Sequence, residues 1–280
     1  MTPDGKKVLI TGANSGLGLA VSKRFAQQGA DTILMCRTEE SGERAVRDIE
    51  SATPEASVRL MICDLASMAS IDQFIADVKA EHTSLDLLFN NAAVMKRERT
   101  MTDDGFEMMF QVNYLAPFIL MNSLLGQLRS SPIHLVLGNG RPSTRLRLDF
   151  DDLQFSEHYR MYNSFFRTKL CLLLASIELA HRPEGQGVSI HMADPGPFKS
   201  GLVREVPWPA GWIKNLFSAT VDEAAENIVY VAGSDEARAR TGKVFKKRKE
   251  VPLTSYWQDA QVRDQLWSAT EAMIEKTKSH

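Results

Sequence analysis

The stretch Thr11-Gly12-Ala13-Asn14-Ser15-Gly16-Leu17-Gly18 lies between a short apolar run, residues 8–11, and a run with helical periodicity, residues 17–28. Glycines at such a junction let the backbone turn tightly and approach a pyrophosphate, while the free amides at the start of the helix attract its charge. A glycine triplet alone is a weak signal, but this position between strand and helix makes it specific. A purely structural turn is the alternative. We expect a dinucleotide to contact Gly12, Asn14, Ser15, Gly16, Leu17 and Gly18.

The alternation of strand and helix continues outward from this stretch. The apolar runs lack a period of two and are separated by helices, which indicates parallel strands covered on both faces and joined by right-handed crossovers. We therefore predict one α/β domain over residues 1–280, a Rossmann-type doubly wound parallel sheet of about seven strands flanked by helices. The predicted strands are residues 8–11, 32–36, 58–63, 85–89, 133–137, 188–192 and, as the edge strand, 242–245. The predicted helices are residues 17–28, 39–49 after an N-cap at Thr38, 71–80, 106–128 and 164–180.

Composition excludes several classes of function. The net charge of −2 over 280 residues gives no global field for nucleic acid. The basic run Lys246-Lys247-Arg248-Lys249 is short, and a solvated loop is favoured there over an anion site. The three cysteines, Cys36, Cys63 and Cys171, have no metal-binding spacing and predict buried free thiols in a reducing compartment. No apolar segment is long enough to span a membrane, so we expect a cytoplasmic protein without a metal centre.

The end of the second predicted strand indicates which dinucleotide is bound. Enzymes that use NAD tend to place a carboxylate there for the ribose hydroxyls, whereas this chain has Cys36-Arg37-Thr38. A guanidinium pairs well with a 2′-phosphate, which favours NADP. The alternative is that Arg37 is only an exposed residue at the head of a helix.

Taken together, these motifs resemble the short-chain dehydrogenases/reductases, and within them the branch that includes retinol dehydrogenases. The resemblance covers nearly the whole chain. It rests on the glycine-rich stretch and on motifs spread from the third strand to the last helix. These are Cys63-Asp64-Leu65, Asn90-Asn91-Ala92-Ala93, Gln111-Val112-Asn113, Pro195-Gly196 and Gln265-Leu266-Trp267-Ser268.

The resemblance implies a role for each matching residue. Lys169 would hold the nicotinamide ribose, and Asn113 would fix a helix distortion and a water that relays protons from Lys169. A polar residue satisfied within its own helix is the alternative for Asn113. The remaining cofactor contacts would come from Asp64 and Leu65 at the adenine, Asn91 and Ala92 at the adenosine ribose, and Pro195, Gly196 and Ser200 at the nicotinamide end.

Two positions depart from the family pattern. The tyrosine expected four residues before Lys169 is Phe165, and the serine expected after the fifth strand is Gly140. The phenol normally exchanges a proton with the substrate oxygen, and loss of a positioned general acid costs on the order of a hundredfold to ten-thousandfold in rate. Ordinary ketone reduction or alcohol oxidation is therefore not expected to be efficient.

Three functions remain open. The first is reduction of an iminium or a conjugated C=C bond in a specialised biosynthetic pathway, where no phenol is needed. The second is a non-redox cyclase or isomerase that keeps NADP in its pocket wall. The third is an inactive cofactor-binding protein that acts as a regulator. NADPH consumption with candidate acceptors separates the first from the other two.

Other residues could replace the missing donors. Tyr162, three residues before Phe165, would lie on the same helix face if the helix starts early, and it is the preferred candidate for a catalytic acid. His158, Tyr159 and Asp194 are weaker candidates, and for all four an ordinary loop or surface position is the alternative.

The substrate and the oligomer are only broadly indicated. Residues 195–220 would form a lid. Its Trp208 and Trp212, together with the three arginines in the stretch from Arg141 to Arg147, favour a bulky, partly aromatic or anionic small molecule, although ordinary loop packing explains them equally well. By resemblance, the helices at residues 106–128 and 164–180 pair in a homodimer.

Overall fold

An eight-stranded sheet forms the centre of the computed structural model, which describes residues 4–128, 134–136, 142–195 and 220–278. Its strand order is β3-β2-β1-β4-β5-β6-β7-β8. The first seven strands are parallel, and β8 runs antiparallel to β7. The strands are β1 Lys7–Thr11, β2 Asp31–Cys36, β3 Val58–Ile62, β4 Leu87–Asn90, β5 His134–Val136, β6 Ile190–Asp194, β7 Lys243–Lys246 and β8 Lys249–Val251.

Helices cover both faces of this sheet. The α-helices are α1 Gly16–Gln27, α2 Glu39–Ala52, α3 Met68–Glu81, α4 Met108–Phe110, α5 Ala116–Ser123, α6 Leu125–Leu128, α7 Met161–His181, α8 Val221–Gly233, α9 Asp235–Arg238, α10 Ser255–Gln258 and α11 Ala260–Lys278. A π-helical segment, Gln111–Leu115, joins α4 to α5, and a short 3-10 turn, Pro183–Gly185, follows α7.

Alternate residues of the central strands supply two separate apolar layers. On β1, Val8 and Ile10 belong to the layer under α1 and α8, whereas Leu9 belongs to the layer under α3, α5 and α7. A strand that is buried on both faces needs apolar residues at every position, which explains the unbroken apolar runs in the sequence. The predicted α/β fold class is confirmed.

The last part of the sheet differs from the prediction. The strand at residues 242–245 is not the edge, because β8 pairs with it and raises the observed number of strands to eight. The basic run expected to be a solvated loop is exposed, but it forms the turn of this hairpin. Lys247 and Arg248 both have positive φ, 46° and 73°, which is the geometry of a two-residue hairpin turn. Turns of this kind favour glycine and asparagine, so the charged residues at these positions did not indicate a hairpin turn.

The single helix predicted over residues 106–128 is also wrong. It is divided into α4, the π-helical segment, α5 and α6. One cause is visible in the sequence: Pro117 has no amide hydrogen, so the carbonyl of Asn113 lacks the donor that an α-helix would supply four residues later. The second cause is tertiary, because the Asn113 side chain binds the backbone of Val94 and holds the wider turn in place.

Helix α11 packs across α5 and α7. The ring of Trp267 meets that of Phe118 with centroids 4.7 Å apart, and the hydroxyls of Tyr114 and Thr270 share a 2.6 Å hydrogen bond. The buried Arg263 donates to Glu178 of α7 at 3.1 Å. Part of the surface on which the expected homodimer would pair is therefore used within the chain. The homodimer stays a prediction.

The cysteines are free and buried, as predicted. Burial raises the pKa of the Cys63 and Cys171 thiols to about 12 and that of Cys36 to about 11, so all three are neutral near pH 7. Within the described part of the chain, no group of histidine, cysteine and acidic residues could hold a metal ion. Nor does any described helix have the length and apolarity to cross a membrane.

Candidate active site

The glycine-rich stretch lies at the carboxyl edge of the sheet, above the gap between β1 and β4. The connections from these neighbouring strands run in opposite directions, and such a switch point leaves a crevice in a doubly wound sheet. Helix α1 begins at Gly16 without a side-chain hydrogen bond to its first amides and without an acidic residue in its first turn. Its amino terminus is therefore able to receive an anion.

Three glycines shape the approach to this crevice. Gly12 and Gly16 have φ of +63° and +53°, which side chains rarely adopt. A Cβ at Gly16 would meet no atom within 4 Å, so the space in front of the turn is open. A Cβ at Gly18 would lie 2.2 Å from the Gly12 carbonyl oxygen, which shows that α1 packs directly on the turn. These features fit the backbone approach that a pyrophosphate requires.

Hydrogen bonds between Thr11 and Asn91 join the two sides of the crevice. The Thr11 hydroxyl accepts from the amides of Asn91 and Ala92, both at 3.0 Å. The Asn91 side-chain amide donates to the Thr11 carbonyl at 2.9 Å and to the Gly12 carbonyl at 3.2 Å. Sequence reasoning assigned Asn91 only to the ribose and gave Thr11 no role, although Thr11 begins the glycine-rich motif. Both residues position the phosphate turn.

The residues predicted at the adenosine end occupy the turns after β2 and β3. Arg37 follows the buried Cys36 and is exposed, and Thr38 is the N-cap of α2, although its side chain makes no capping hydrogen bond. After β3, the Asp64 carboxylate accepts from the Ala66 amide at 2.9 Å, and Leu65 is buried. The residue directly after β2 is therefore an arginine, and the first acidic residues, Glu39 and Glu40, lie in the first turn of α2.

The π-helical segment holds Asn113 against the loop after β4. Its side-chain oxygen accepts from the Val94 amide at 2.7 Å, and its nitrogen donates to the Val94 carbonyl at 2.9 Å and to the Thr168 hydroxyl at 3.4 Å. The predicted helix distortion is present, and the side chain is satisfied by backbone outside its own helix. Thr168, which sequence reasoning missed, links this loop to α7. The relay water stays a prediction.

Lys169 is fully buried on α7, and its Nζ has no hydrogen-bond partner in the described structure. Burial lowers the pKa of its ammonium from 10.5 to about 8. A buried ammonium without a partner is costly, and such atoms in native structures usually have a partner in the functional state. Ribose hydroxyls are suitable acceptors, so this orphaned atom fits a nucleotide bound along the crevice.

Phe165 stands one helical turn before Lys169. Its ring is only 3% exposed, and the ring centroid lies 5.4 Å from Lys169 Nζ. The ammonium therefore lies over the face of this ring, to which it is weakly attracted. The neighbouring Ser164 hydroxyl is also fully buried and has no hydrogen-bond partner among the described residues. Gly140 lies outside the described residues.

The candidate replacement acids lie in different environments. Helix α7 does start early, at Met161, but Tyr162 in its first turn is 43% exposed. Tyr159 donates its hydroxyl proton to the Lys96 carbonyl at 2.6 Å, and His158 is exposed. Asp194 ends β6 and is buried, and its carbonyl accepts from the Lys247 amide at 3.0 Å. None of these observations places a second acid on Lys169, and the role of Tyr162 stays a prediction.

Hydrogen bonds join the segment before α7 to the segment before α4. In addition to the Tyr159 hydrogen bond, the Gln154 side chain accepts from the Glu107 amide at 2.9 Å and the Gln154 carbonyl accepts from Arg99 Nε at 3.3 Å. The segment before α7 is thus fastened to the segment before α4. Of the predicted nicotinamide contacts, Pro195 is buried just after β6, whereas Gly196, Ser200 and the lid with Trp208 and Trp212 lie outside the described residues.

The switch-point crevice, the glycine turn and the buried lysine define a nucleotide-binding α/β protein. The chain matches the family model described as short chain dehydrogenase over residues 6–132. It is 33% identical to retinol dehydrogenase 13 of Mus musculus over 100% of this chain and 86% of that protein. It is 35% identical to retinol dehydrogenase 14 of Homo sapiens over 96% of this chain and 86% of that protein. The chain belongs to the short-chain dehydrogenase/reductase family, in its retinol-dehydrogenase-like branch.

Solved structures agree with this fold. An uncharacterized protein from Mycobacterium paratuberculosis superposes with a TM-score of 0.74 at 25% identity, covering 97% of this chain and 94% of that chain. A short chain dehydrogenase from Burkholderia cenocepacia, solved in complex with NADP, has a TM-score of 0.69 at 20% identity, covering 88% and 97%. The second likeness shows the shared fold alone.

Replacing Gly18 with alanine should weaken NADPH binding. The new Cβ would displace the Gly12 carbonyl and the Asn91 amide, which a Cβ would approach to 2.2 and 2.5 Å. We expect the dissociation constant, measured by NADPH fluorescence titration, to rise at least about tenfold. Gly126→Ala is the matched control, because a Cβ there meets nothing within 4 Å. Unchanged binding by Gly18→Ala would contradict the assignment of this turn.

The titration of Lys169 should be visible in stability. Its folded pKa of about 8 lies below the ordinary 10.5, so between these values the unfolded chain binds the extra proton and stability rises with pH. Relative to Lys169→Met, the wild-type free energy of unfolding should increase by up to about 3 kcal/mol across this window. Urea unfolding at several pH values measures the difference. A constant difference would show that the ammonium is not buried.

Proposed function

We propose that the chain is an NADP(H)-dependent oxidoreductase with a non-standard active site that reduces an iminium or a conjugated C=C bond. One observation carries the proposal: the Lys169 ammonium is fully buried with no hydrogen-bond partner among the described residues, while an apolar ring stands one helical turn before it. Retention of a costly buried charge favours a bound nucleotide, and loss of the neighbouring phenol argues against chemistry that needs a strong donor to a substrate oxygen.

The bound reduced nicotinamide would supply a hydride. The turn at Gly12–Gly18 would hold the pyrophosphate on the amides of α1, and Lys169 would donate to the ribose hydroxyls. The Asn113 side chain connects the loop after β4 to α7 through hydrogen bonds to Val94 and Thr168. Phe165 closes the neighbouring wall and excludes water without offering a proton. In this proposal these residues position the cofactor. Which electrophile reacts depends on the charge and shape of the substrate.

The proposed preference for NADP rests on Arg37. The guanidinium is exposed after β2, where a 2′-phosphate would lie, and the turn lacks the carboxylate that would suit free ribose hydroxyls. The alternative functions, non-redox catalysis and a regulatory cofactor-binding protein, predict bound NADP without its consumption. The assays below therefore distinguish these alternatives from the proposed reduction.

Arg37→Ala should weaken NADPH binding more than NADH binding. Loss of a charge-assisted contact to phosphate corresponds to about a tenfold to hundredfold increase in the NADPH dissociation constant. Arg44→Ala is the control, since Arg44 is exposed on α2 and pairs with Glu40 at 2.6 Å. Equal effects of Arg37→Ala on both dinucleotides would contradict the proposed preference.

The reaction is tested with NADPH and three acceptors: a cyclic iminium, a conjugated enal and a simple ketone. We expect NADPH oxidation with at least one of the first two and little with the ketone. Restoring both donors with Phe165→Tyr and Gly140→Ser should raise ketone reduction at least about a hundredfold, because a positioned general acid is worth that much.

The matched control moves the phenol by one position, with Phe166→Tyr and Gly140→Ser. It should leave the ketone rate low, because adjacent residues of a helix point in different directions. Efficient ketone reduction by the wild-type protein would overturn the proposal. Tight NADPH binding without oxidation by any acceptor would favour the non-redox or regulatory function.

A further inference from the structure

We infer that the turn between β7 and β8 binds an anionic group of the acceptor, so that the substrate carries a negative charge away from its reacting bond. This surface, the basic turn, consists of Lys246, Lys247, Arg248 and Lys249, and all four residues are exposed. The inference rests on the proposed function and narrows its substrate class.

The basic turn lies at the edge of the sheet where the cofactor crevice opens. Strand β7 is parallel to β6, so both strands end at this edge, and the Lys247 amide donates to the Asp194 carbonyl at the end of β6 at 3.0 Å. Pro195, which is predicted to line the nicotinamide end, follows directly. Strand β7 is the third strand from β4, which corresponds to about 14 Å between the turn and the crevice. An extended acceptor spans this distance.

The conformation of the turn disfavours the residues that form it. Lys247 and Arg248 have φ of 46° and 73°, a region that glycine and asparagine adopt more readily. Lys246 and Lys249 stand directly opposite each other in the β7–β8 pair, where like charges repel. The basic residues are thus present against two local preferences. Conflicts of this kind between sequence and local structure concentrate at functional sites.

Arg248 fastens the turn to α8. Its Nε donates to the Asn227 side-chain oxygen at 2.9 Å, and another of its nitrogens lies 3.4 Å from the Glu226 carboxylate. Its guanidinium lies over the Tyr230 ring, 5.0 Å from the centroid. These contacts hold the turn in one place, which lowers the entropy that would be lost when a ligand binds.

The carboxylates close to the turn are engaged by other cations. Glu226 pairs with Arg248, and Glu250 of β8 pairs with Arg240 and with Lys243. Among the described residues, no ion pair joins a carboxylate to the three lysines of the turn. Their charge therefore favours an anion that comes from outside the described part of the chain.

The test compares 10-oxodec-8-enoate, a conjugated enal with a carboxylate at the far end of its chain, with the methyl ester of the same compound. NADPH oxidation gives kcat and KM for both acceptors. We expect the wild-type KM for the carboxylate to be at least about fivefold lower than that for the ester. This difference should shrink at high salt, because exposed charges are screened.

Lys247→Asn combined with Lys249→Gln removes two charges of the basic turn. In this double variant the ratio of the two KM values should approach one. The melting temperature should rise by about 1 to 4 °C, because asparagine suits the positive φ and Lys246 no longer opposes a like charge. A residue with a purely structural role would not combine a loss of selectivity with a gain in stability.

The matched control removes two exposed charges elsewhere. Lys79→Gln combined with Lys276→Gln changes the surface of α3 and α11 and should leave both KM values as they are in the wild-type protein. A loss of selectivity in this control equal to that of the double variant would show that only the net charge matters, and would contradict the inference.

Calorimetry supplies a readout that needs no turnover. With NADP⁺ bound, the wild-type protein should bind 10-oxodecanoate at least about fivefold more tightly than methyl 10-oxodecanoate. The double variant should bind the two compounds alike.

The outcomes separate this inference from the proposed function. Equal wild-type KM values for the two acceptors, or a ratio that the double variant retains, overturn the inference and leave the proposed reduction intact. Reduction of neither acceptor contradicts the proposed function, and calorimetry then upholds or overturns anion binding by the turn on its own.

Two other roles of the lysines would also overturn the inference. Vesicles of phosphatidylserine that bind the wild-type protein but not the double variant, without a preference for the carboxylate, would assign the turn to a lipid surface. Aggregation of the double variant with an unchanged KM ratio would show that the lysines protect the edge strand β8 from pairing with another chain.

Discussion

The hydrogen bonds between Asn91 and the Thr11–Gly12 backbone hold the site together. They join the loops that follow β1 and β4, the two strands whose connections diverge, and so they fix the width of the crevice between them. An amide side chain suits this position because it can donate to two carbonyls at once. Helix α1 then packs on the turn through Gly18, where no side chain fits. The position of the amides at the start of α1 follows from these contacts.

The second constraint is the burial of Lys169. Placing an ammonium in an apolar interior without a partner is unfavourable, and its lowered pKa reflects that cost. In this chain the phenol that would ordinarily stand beside the lysine is replaced by Phe165, which fills the volume but forms no hydrogen bond. In the proposed function, this charge acts on the bound cofactor. Catalysis by a charge of this kind depends on its being positioned before the substrate arrives.

Much of the fold could be predicted from the sequence, because a doubly wound sheet leaves a local signal in each strand and helix. Most predicted strands and helices of the first half begin or end within a few residues of the observed ones. Two long helices, α8 and α11, were not predicted, although α8 begins with a capping box at Thr220. Other errors lie where tertiary contacts decide. The break at Asn113 depends on Val94, nineteen positions earlier, and the edge strand β8 exists only through its pairing with β7. A short charged segment has no strand signal of its own.

In the candidate site, too, only part of the structure could be predicted from the sequence. The glycine turn and Arg37 were predicted from residue type and position, and Lys169 from the family resemblance; their contacts with a cofactor stay predictions. Thr11 and Thr168 were missed, because a threonine gains its role only from the loop that reaches it.

A crystal structure of the protein with NADP⁺ tests the central claim most directly. The account predicts the pyrophosphate on the amides of α1, Lys169 Nζ within hydrogen-bond distance of the nicotinamide ribose, and the Phe165 ring in apolar contact beside it. A crevice that stays closed to the dinucleotide, or a Lys169 paired with a protein carboxylate instead, would contradict it.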